Sequence, residues 1–294
     1  METKEKFNIY KDITLRILEK LRTGVIPWQR SFCTLRAMNW VSQSPYSILN
    51  QMLLGDNGEY ITFRQADAIK GAHVREGTHG KRICFFTRVE KKRATAEELE
   101  EDEGKDKEYI PVLRYYTVFP VEAVDGISPR RSSREDGTVP EAEDVARKYM
   151  EAEGLTLRHR DASPSFDSRE DCVTLPEEAA FAHKGDYYAE LFRCLVMATG
   201  TEGRLSRGVG LTELGPEARA REELTCEMGS AMLLALCGMD PAQYLDHSTA
   251  YIAKWISVLE DDWRAVVTAA SRAQKAVDRI LDLKPKDEAV PTAA

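Results

Sequence analysis

Apolar residues at Ile9, Ile13, Ile17 and Leu21 recur every four positions, and Gly24 and Pro27 close the run, so residues 7–22 predict an amphipathic helix. Residues 46–54 predict a second helical segment, and residues 61–69 a third with Thr62 as its N-cap. The period then changes. Residues 82–89 follow a Gly77-Thr78-His79-Gly80 turn and are rich in β-branched and aromatic side chains, as are residues 112–121, which predicts two strands paired across the segment between them. After residue 144 the pattern is mainly helical. The expected helices are 145–154, 187–199 (ended by Gly200), 216–237 (opened by Pro216, stopped by Gly238), 248–259 and 261–283, with one strand at 171–175. No internal repeat interrupts this order.

Two polar stretches divide the pattern. Residues 94–108 hold eight acidic residues and two lysines with almost no apolar content, the composition of a solvated loop; an acidic arm shielding a basic surface is the other reading. Residues 128–144, with Pro129, Gly137, Pro140 and several Ser and Arg, read as an interdomain linker. At 294 residues the chain can bury two cores. The expected fold class is α+β: an N-terminal mixed helix and antiparallel-sheet domain (1–127), a linker (128–144), a mainly α domain (145–284) and a frayed tail (285–294).

Charge changes this picture once it is divided. Residues 1–93 carry 17 Lys and Arg against 9 Asp and Glu, a net +8, whereas the remainder carries a net −16, which brings the whole chain to −8. The first third is therefore basic enough to attract phosphates. Cations alternate there with aromatics: Trp28 with Arg30, then Trp40 and Tyr46, Tyr60 with Arg64, and Phe85-Phe86 with Arg88. That combination suits single-stranded nucleic acid, although core packing explains Trp28, Phe63 and Phe85 equally well. Arg75, Lys81 and Arg82 bracket the glycine turn and are the first phosphate candidates, followed by Lys91, Lys92 and Arg93. His73 and His79 lie nearby and are expected to be surface residues without a role. The six cysteines (33, 84, 172, 194, 226 and 237) form no C-x-x-C pair and read as reduced, mostly buried thiols. No nucleotide fingerprint surrounds Gly208-Val209-Gly210, and no serine occupies a G-x-S-x-G elbow. No apolar run reaches the roughly 20 residues of a spanning helix and no signal-peptide core opens the chain, so a cytoplasmic location without membrane contact is expected.

A set of short motifs in order resembles the ArdC-type antirestriction proteins of conjugative plasmids and related mobile genetic elements. Ile13 through Leu21, Gly24, Pro27 and Trp28 resemble that family's I-T-x-x-I-x-x-x-L-x-x-G-x-x-P-W; Tyr46 and Asn50 its Y-x-x-x-N; Thr62-Phe63-Arg64-Gln65 its T-F-x-Q; Val74 to Gly77 its V-x-K-G; and Tyr116 to Phe119 its Y-T-V-F-N. The resemblance implies a single-stranded-DNA-binding N-terminal domain, with Trp28, Arg30, Tyr46, Asn50, Arg64, Gln65, Arg75, Lys81, Arg82 and Arg88 as its expected DNA-binding residues. Tyr187 to Leu191, Arg204-Leu205-Ser206-Arg207, Glu222 through Glu227, Trp255, Asp262 and the run from Ala269 to Ala276 resemble its zincin-like metallopeptidase domain.

In that domain H-E-x-x-H sets two histidines one helical turn apart on one metal, and the glutamate between them activates water. Here the three positions read Arg193, Cys194 and Met197, and the histidine after T-G is Thr201. Arginine cannot ligate a cation, methionine is a poor zinc ligand, and a thiol does not replace the carboxylate base. Glu222, Glu223 and Glu227 are either relics of a ligand set or carboxylates on a solvated helix face, and Arg193 is expected to pair with Glu223 or Glu227. A site rebuilt from Cys194, Cys226, Cys237 and His183 is the alternative. The expectation is a pseudo-metallopeptidase without zinc, joined to a DNA-binding module that takes single-stranded DNA, with duplex DNA as a second candidate partner, and contacting a host restriction or defence protein. The alternatives are a metal-dependent peptidase with a rearranged site and a DNA-binding regulator of mobile-element transfer genes.

Overall fold

The computed structural model describes residues 7–29, 37–90, 109–130, 140–210 and 215–283. The acidic segment 94–108, Arg30, Lys91, Lys92 and Arg93 lie outside them. The chain opens on α1 (Ile9–Arg22), whose N-cap Asn8 accepts from the amides of Tyr10 and Lys11. The predicted four-residue stripe is its buried face, with Ile13, Ile17, Leu18 and Leu21 all removed from solvent. A single 3₁₀ turn, Pro27–Gln29, follows.

A five-stranded sheet in the order β2-β1-β3-β6-β5 forms the centre of the N-terminal half: β1 (Met38–Asn39), β2 (Ser44–Pro45), β3 (Glu59–Thr62), β5 (Lys81–Glu90) and β6 (Tyr109–Pro120). The two expected long strands, β5 and β6, pair antiparallel from Lys81–Val118 to Glu90–Tyr109. β1 runs parallel to β3, so the sheet is not wholly antiparallel. The expected helix over 61–69 is instead β3 running into a short α3 (Phe63–Asp67), with Thr62 and Gln65 forming a capping box between them. The cap was legible and the strand before it was not, because four residues carry too little period to read. α2 (Ile48–Leu54) lies on the sheet, and β4 (His73–Val74) pairs with β7 (Val124–Asp125).

The C-terminal half starts with α4 (Ala142–Glu153), then a three-stranded sheet in the order β8-β10-β9, with β8 (Thr156–His159), β9 (Ser165–Asp167) and β10 (Cys172–Leu175). Five helices complete it: α5 (Lys184–Ala198), α6 (Pro216–Leu236), α7 (Pro241–Tyr244), α8 (Thr249–Asp261) and α9 (Ala265–Ile280). From Leu224 to Ala235 every residue of α6 is buried, which makes it the central helix of this half. It touches α5 at Gly229, where a Cβ would stand 2.7 Å from Val196 Cγ2, and Ser230 Oγ donates to Ala189 O at 2.8 Å. These contacts fix the side chains of α6 beside those of α5. Among the described residues no helix is long and apolar enough to cross a membrane.

The sequence divides at 128–144, but the packing does not divide with it. α1 lies against α8 and α9, and one continuous core joins Ile13, Ile17 and Trp28 to Tyr251, Trp255 and Val266. Thr14 Oγ1 donates to Trp263 O at 2.8 Å, and Gln274 Oε1 accepts from the Ile48 amide at 3.0 Å. The two halves share a core.

Candidate functional site: an arginine in a metallopeptidase frame

Arg193 and Met197 stand one turn apart on α5, with Glu190 on the same face. The Arg193 guanidinium lies between two carboxylates: Nη2 is 3.1 Å from Glu190 Oε2, and Nη1 is 3.7 Å from Glu227 Oε1 on α6. Burial pulls its pKa down, yet Glu190 and Glu227 outweigh that and hold it above the ordinary arginine value. Glu227 is itself 8% exposed and accepts from Tyr251 OH at 3.2 Å. Tyr251 OH in turn accepts from Trp28 Nε1 at 3.2 Å, so a buried polar chain runs from the N-terminal half to Arg193.

The expected partner is thus confirmed for Glu227 and corrected for Glu223, which pairs with Lys254 Nζ at 2.5 Å. A solvated helix face does not account for Glu222 and Glu227, since both are buried. Glu222 takes a bidentate pair from Arg207, whose Nη2 is 2.6 Å away and whose Nη1 and Nη2 also donate to Thr199 Oγ1 and Val196 O at 2.7 Å. Arg204 reaches Glu153, Asp171 and Thr201 Oγ1 at 2.8 to 3.0 Å. The R-L-S-R run therefore clamps the C-terminal end of α5 to α4 and α6. Its two arginines and Tyr251 belong to the site without the sequence having assigned them a role there, and Glu222, named from sequence as a relic of a ligand set, is Arg207's partner. The motif was visible; its partners are 15 and 51 residues away in the chain.

These residues do not fit a divalent metal ion. A cation occupies the position of the first ligand and engages the two nearest carboxylates. Burial pushes the Cys194 thiol up to about 12 and the Cys226 thiol well above its ordinary value, whereas a ligating cysteine must lose its proton. The rebuilt cluster is not assembled: Cys237 lies three turns beyond Cys226 past the end of α6, and His183 is the N-cap of α5, ten residues before Arg193. Among the described residues no three His, Cys, Asp or Glu side chains are grouped so as to hold a metal.

Several expected DNA-binding residues are interior. Trp28 is 2% exposed and stacks edge-on against Trp255 at 6.4 Å, so it offers no face to a base. Tyr46 is buried against Tyr60 and Phe85. Asn50 is fully buried and bridges α2 to β5, donating to Cys84 O and accepting from Cys84 N, both at 2.9 Å. Gln65 is occupied by the capping box. At the surface, Lys81 donates to Asp56, Tyr60 OH and Leu54 O, and Arg75 to Glu122 O with Asp125 beside it. Arg82 lies 3.9 Å from Asp12 and over the ring of Tyr115. Arg64 is exposed at the start of α3, and Arg88 lies on β5 opposite Pro111. Among the described residues the exposed aromatics are Phe7 at 70%, Phe63 at 59% and Phe86 at 44%, of which Phe86 is one of the aromatics that the sequence set beside cations. Phe7 lies against Tyr115, next to Arg82, and Phe63 precedes Arg64.

Comparison with known proteins agrees with both halves. Residues 7–119 match the family described as the N-terminal domain of anti-restriction factor ArdC, and residues 144–272 match the zincin-like metallopeptidase family. The protein y4eC of Sinorhizobium fredii is 31% identical over 286 residues, covering 92% of this chain and 91% of that one. DNA primase TraC of Escherichia coli is 29% identical over 307 residues; the match takes in 97% of this chain but 28% of the primase. Crystal structures of the antirestriction ArdC protein from plasmid R388 superpose over 94% of this chain and 98% of theirs. Their TM-scores are 0.71 (metal-free) and 0.72 (Mn(II)-bound), at 28% and 27% identity. The chain belongs to the ArdC-type antirestriction family, with an ArdC N-terminal domain followed by a zincin-like domain.

Proposed function

We propose that this protein serves antirestriction on a mobile element by binding, without breaking a bond: its N-terminal half binds single-stranded DNA, and its metallopeptidase-like half is a scaffold that contacts a host restriction or defence factor. The observation that carries the non-catalytic reading is Arg193, a permanent cation held between Glu190 and Glu227 where the family motif has its first metal ligand. Such a charge repels a divalent ion, and the surrounding thiols stay protonated. The DNA reading is supported by the net +8 of residues 1–93 and by solvent-facing Phe7, Phe63 and Phe86, the first lying near Arg82 and the second next to Arg64 in the chain. Stacking is thereby moved from Trp28 and Tyr46 to these three phenylalanines.

The full-length protein, titrated with a labelled deoxythymidine oligonucleotide, is expected to bind with an affinity that falls at least about tenfold between about 50 and 200 mM salt. Phe63→Ala and Phe7→Ala each weaken binding by about 1–3 kcal/mol if a base stacks there. Salt-indifferent binding, or none, overturns this half of the reading. Metal analysis after incubation with Zn(II) or Mn(II) tests the other half: no stoichiometric metal is expected. Stoichiometric metal with peptide hydrolysis would establish the rearranged peptidase instead. A transfer-gene regulator shares the DNA surface and is separated by measuring protection from restriction in cells.

A further inference from the structure

Strand β8 is an outer edge of the three-stranded sheet, paired among the described residues only with β10 and parallel to it. The amides of Thr156 and Arg160 donate inward, to Asp171 O and Leu175 O at 2.9 and 3.1 Å. In a parallel pair alternate residues bond to the neighbour, so the backbone groups of Leu157 and His159 point away from the sheet. The same two residues line a cavity of about 460 Å³ beside the strand. Its floor is apolar, made by Met150, Leu155 and Leu191, and one wall is the ring pair Tyr187 and Tyr188. This is a different face of α5 from the one that carries Arg193 and Met197.

The rim is acidic. Arg147 is engaged by Asp144 and Glu151, and His159 Nδ1 lies 3.1 Å from Glu177, which leaves Glu143 and Glu178 without an ion-pair partner among the described residues. Burial first, and then Glu178, Glu177 and Glu143, raise the pKa of Tyr187, so these carboxylates act on the cavity itself. Lys184 Nζ already lies over the ring of Tyr188, 5.5 Å from its centre. Phosphate is repelled by such a rim; a cation with an aliphatic stem fits both the floor and the edge.

We propose that the open edge of β8 takes up an extended segment of a partner protein carrying lysine or arginine at alternate positions. The segment's backbone pairs with the outward groups of Leu157 and His159, adding a strand. The aliphatic stem of a cavity-facing lysine or arginine lies along Leu157, Met150 and Leu191, and its charged head meets Glu143 and Glu178. This assignment gives the scaffold reading a surface and a partner chemistry. Because it is tested with peptide alone, its failure leaves the DNA and metal measurements standing.

The probe is an acetylated, amidated hexapeptide alternating threonine and lysine, titrated against the full-length protein, with alanine and glutamate in place of lysine as controls. The lysine peptide is expected to bind at least about tenfold tighter than either control and to shift the amide resonances of Leu157 and His159. Leu157→Pro removes one outward donor and leaves the bonds to β10, and a loss of about tenfold is expected. Should that variant not fold, the surface pair Glu143→Gln with Glu178→Gln decides: the preference for lysine over alanine must shrink severalfold. Equal binding of the three peptides, unchanged binding by Leu157→Pro, or a β8-edged dimer of this chain in sedimentation overturns the assignment.

Discussion

At the scale of single residues, the site around Arg193 is held by charges that are expensive to separate. Arg207 and Glu222 are both about 4% exposed at the side chain, and each would be left as an uncompensated buried charge without the other. Arg207→Ala is expected to lower stability by about 3–5 kcal/mol, read as the urea midpoint. Glu227 titrates differently. Burial lifts its carboxyl to about 6, from an ordinary 4.5, against the pull of Arg193 and the Tyr251 hydroxyl. Between those values the folded protein binds more protons than the unfolded chain, so stability falls as pH rises through the window. The total is about 2 kcal/mol. Glu227→Gln has no such proton, and the difference in stability between variant and parent should change by about that amount from pH 4.5 to 6.5. A constant difference would show that folding leaves the Glu227 carboxyl at its ordinary value.

At the scale of elements, α5 and α6 keep a metallopeptidase frame that their own packing holds. Gly229 permits the close approach to Val196, Ser230 ties α6 to Ala189, and Arg207 closes the far end. Nothing in that list needs an ion. The tie between α2 and β5 is of the same kind: Asn50 satisfies both backbone groups of Cys84. Asn50→Ala strands a buried donor and a buried acceptor, and about 2–5 kcal/mol of stability should be lost in chemical denaturation. A loss of DNA affinity at unchanged stability would instead return Asn50 to the binding surface. The helices α1, α5 and α6 were legible from period, proline and glycine signals because each spans three turns or more. β1, β2, β4, β7, β8 and β9 have two to four residues each, and strands so short are fixed by their neighbours rather than by their own pattern.

At the scale of the whole molecule, the two family domains share one core, through α1 against α8 and α9 and through Trp28 against Trp255. Unfolding is therefore expected in one transition, with tryptophan fluorescence and far-ultraviolet circular dichroism coinciding. A fragment ending at residue 127 would expose Ile13, Ile17 and Leu21, and should bind an apolar dye and lose its sharp transition. Two resolved transitions in the full chain would mean that the halves are stable alone. The shared core also places the chain Trp28, Tyr251, Glu227 and Arg193 across the seam, a connection with no sequence signature because its members are 24 to 223 residues apart.

By itself the sequence determined the α+β class, the order of the long helices, the pairing of β5 with β6 and the replacement of the H-E-x-x-H residues by Arg193, Cys194 and Met197, all of which rest on local period or on residue identity at spaced positions. Tertiary structure alone decided which aromatics face solvent, that Glu227 rather than Glu223 meets Arg193, and that the main core runs across both halves. Those outcomes depend on burial, and burial is set by which distant faces meet.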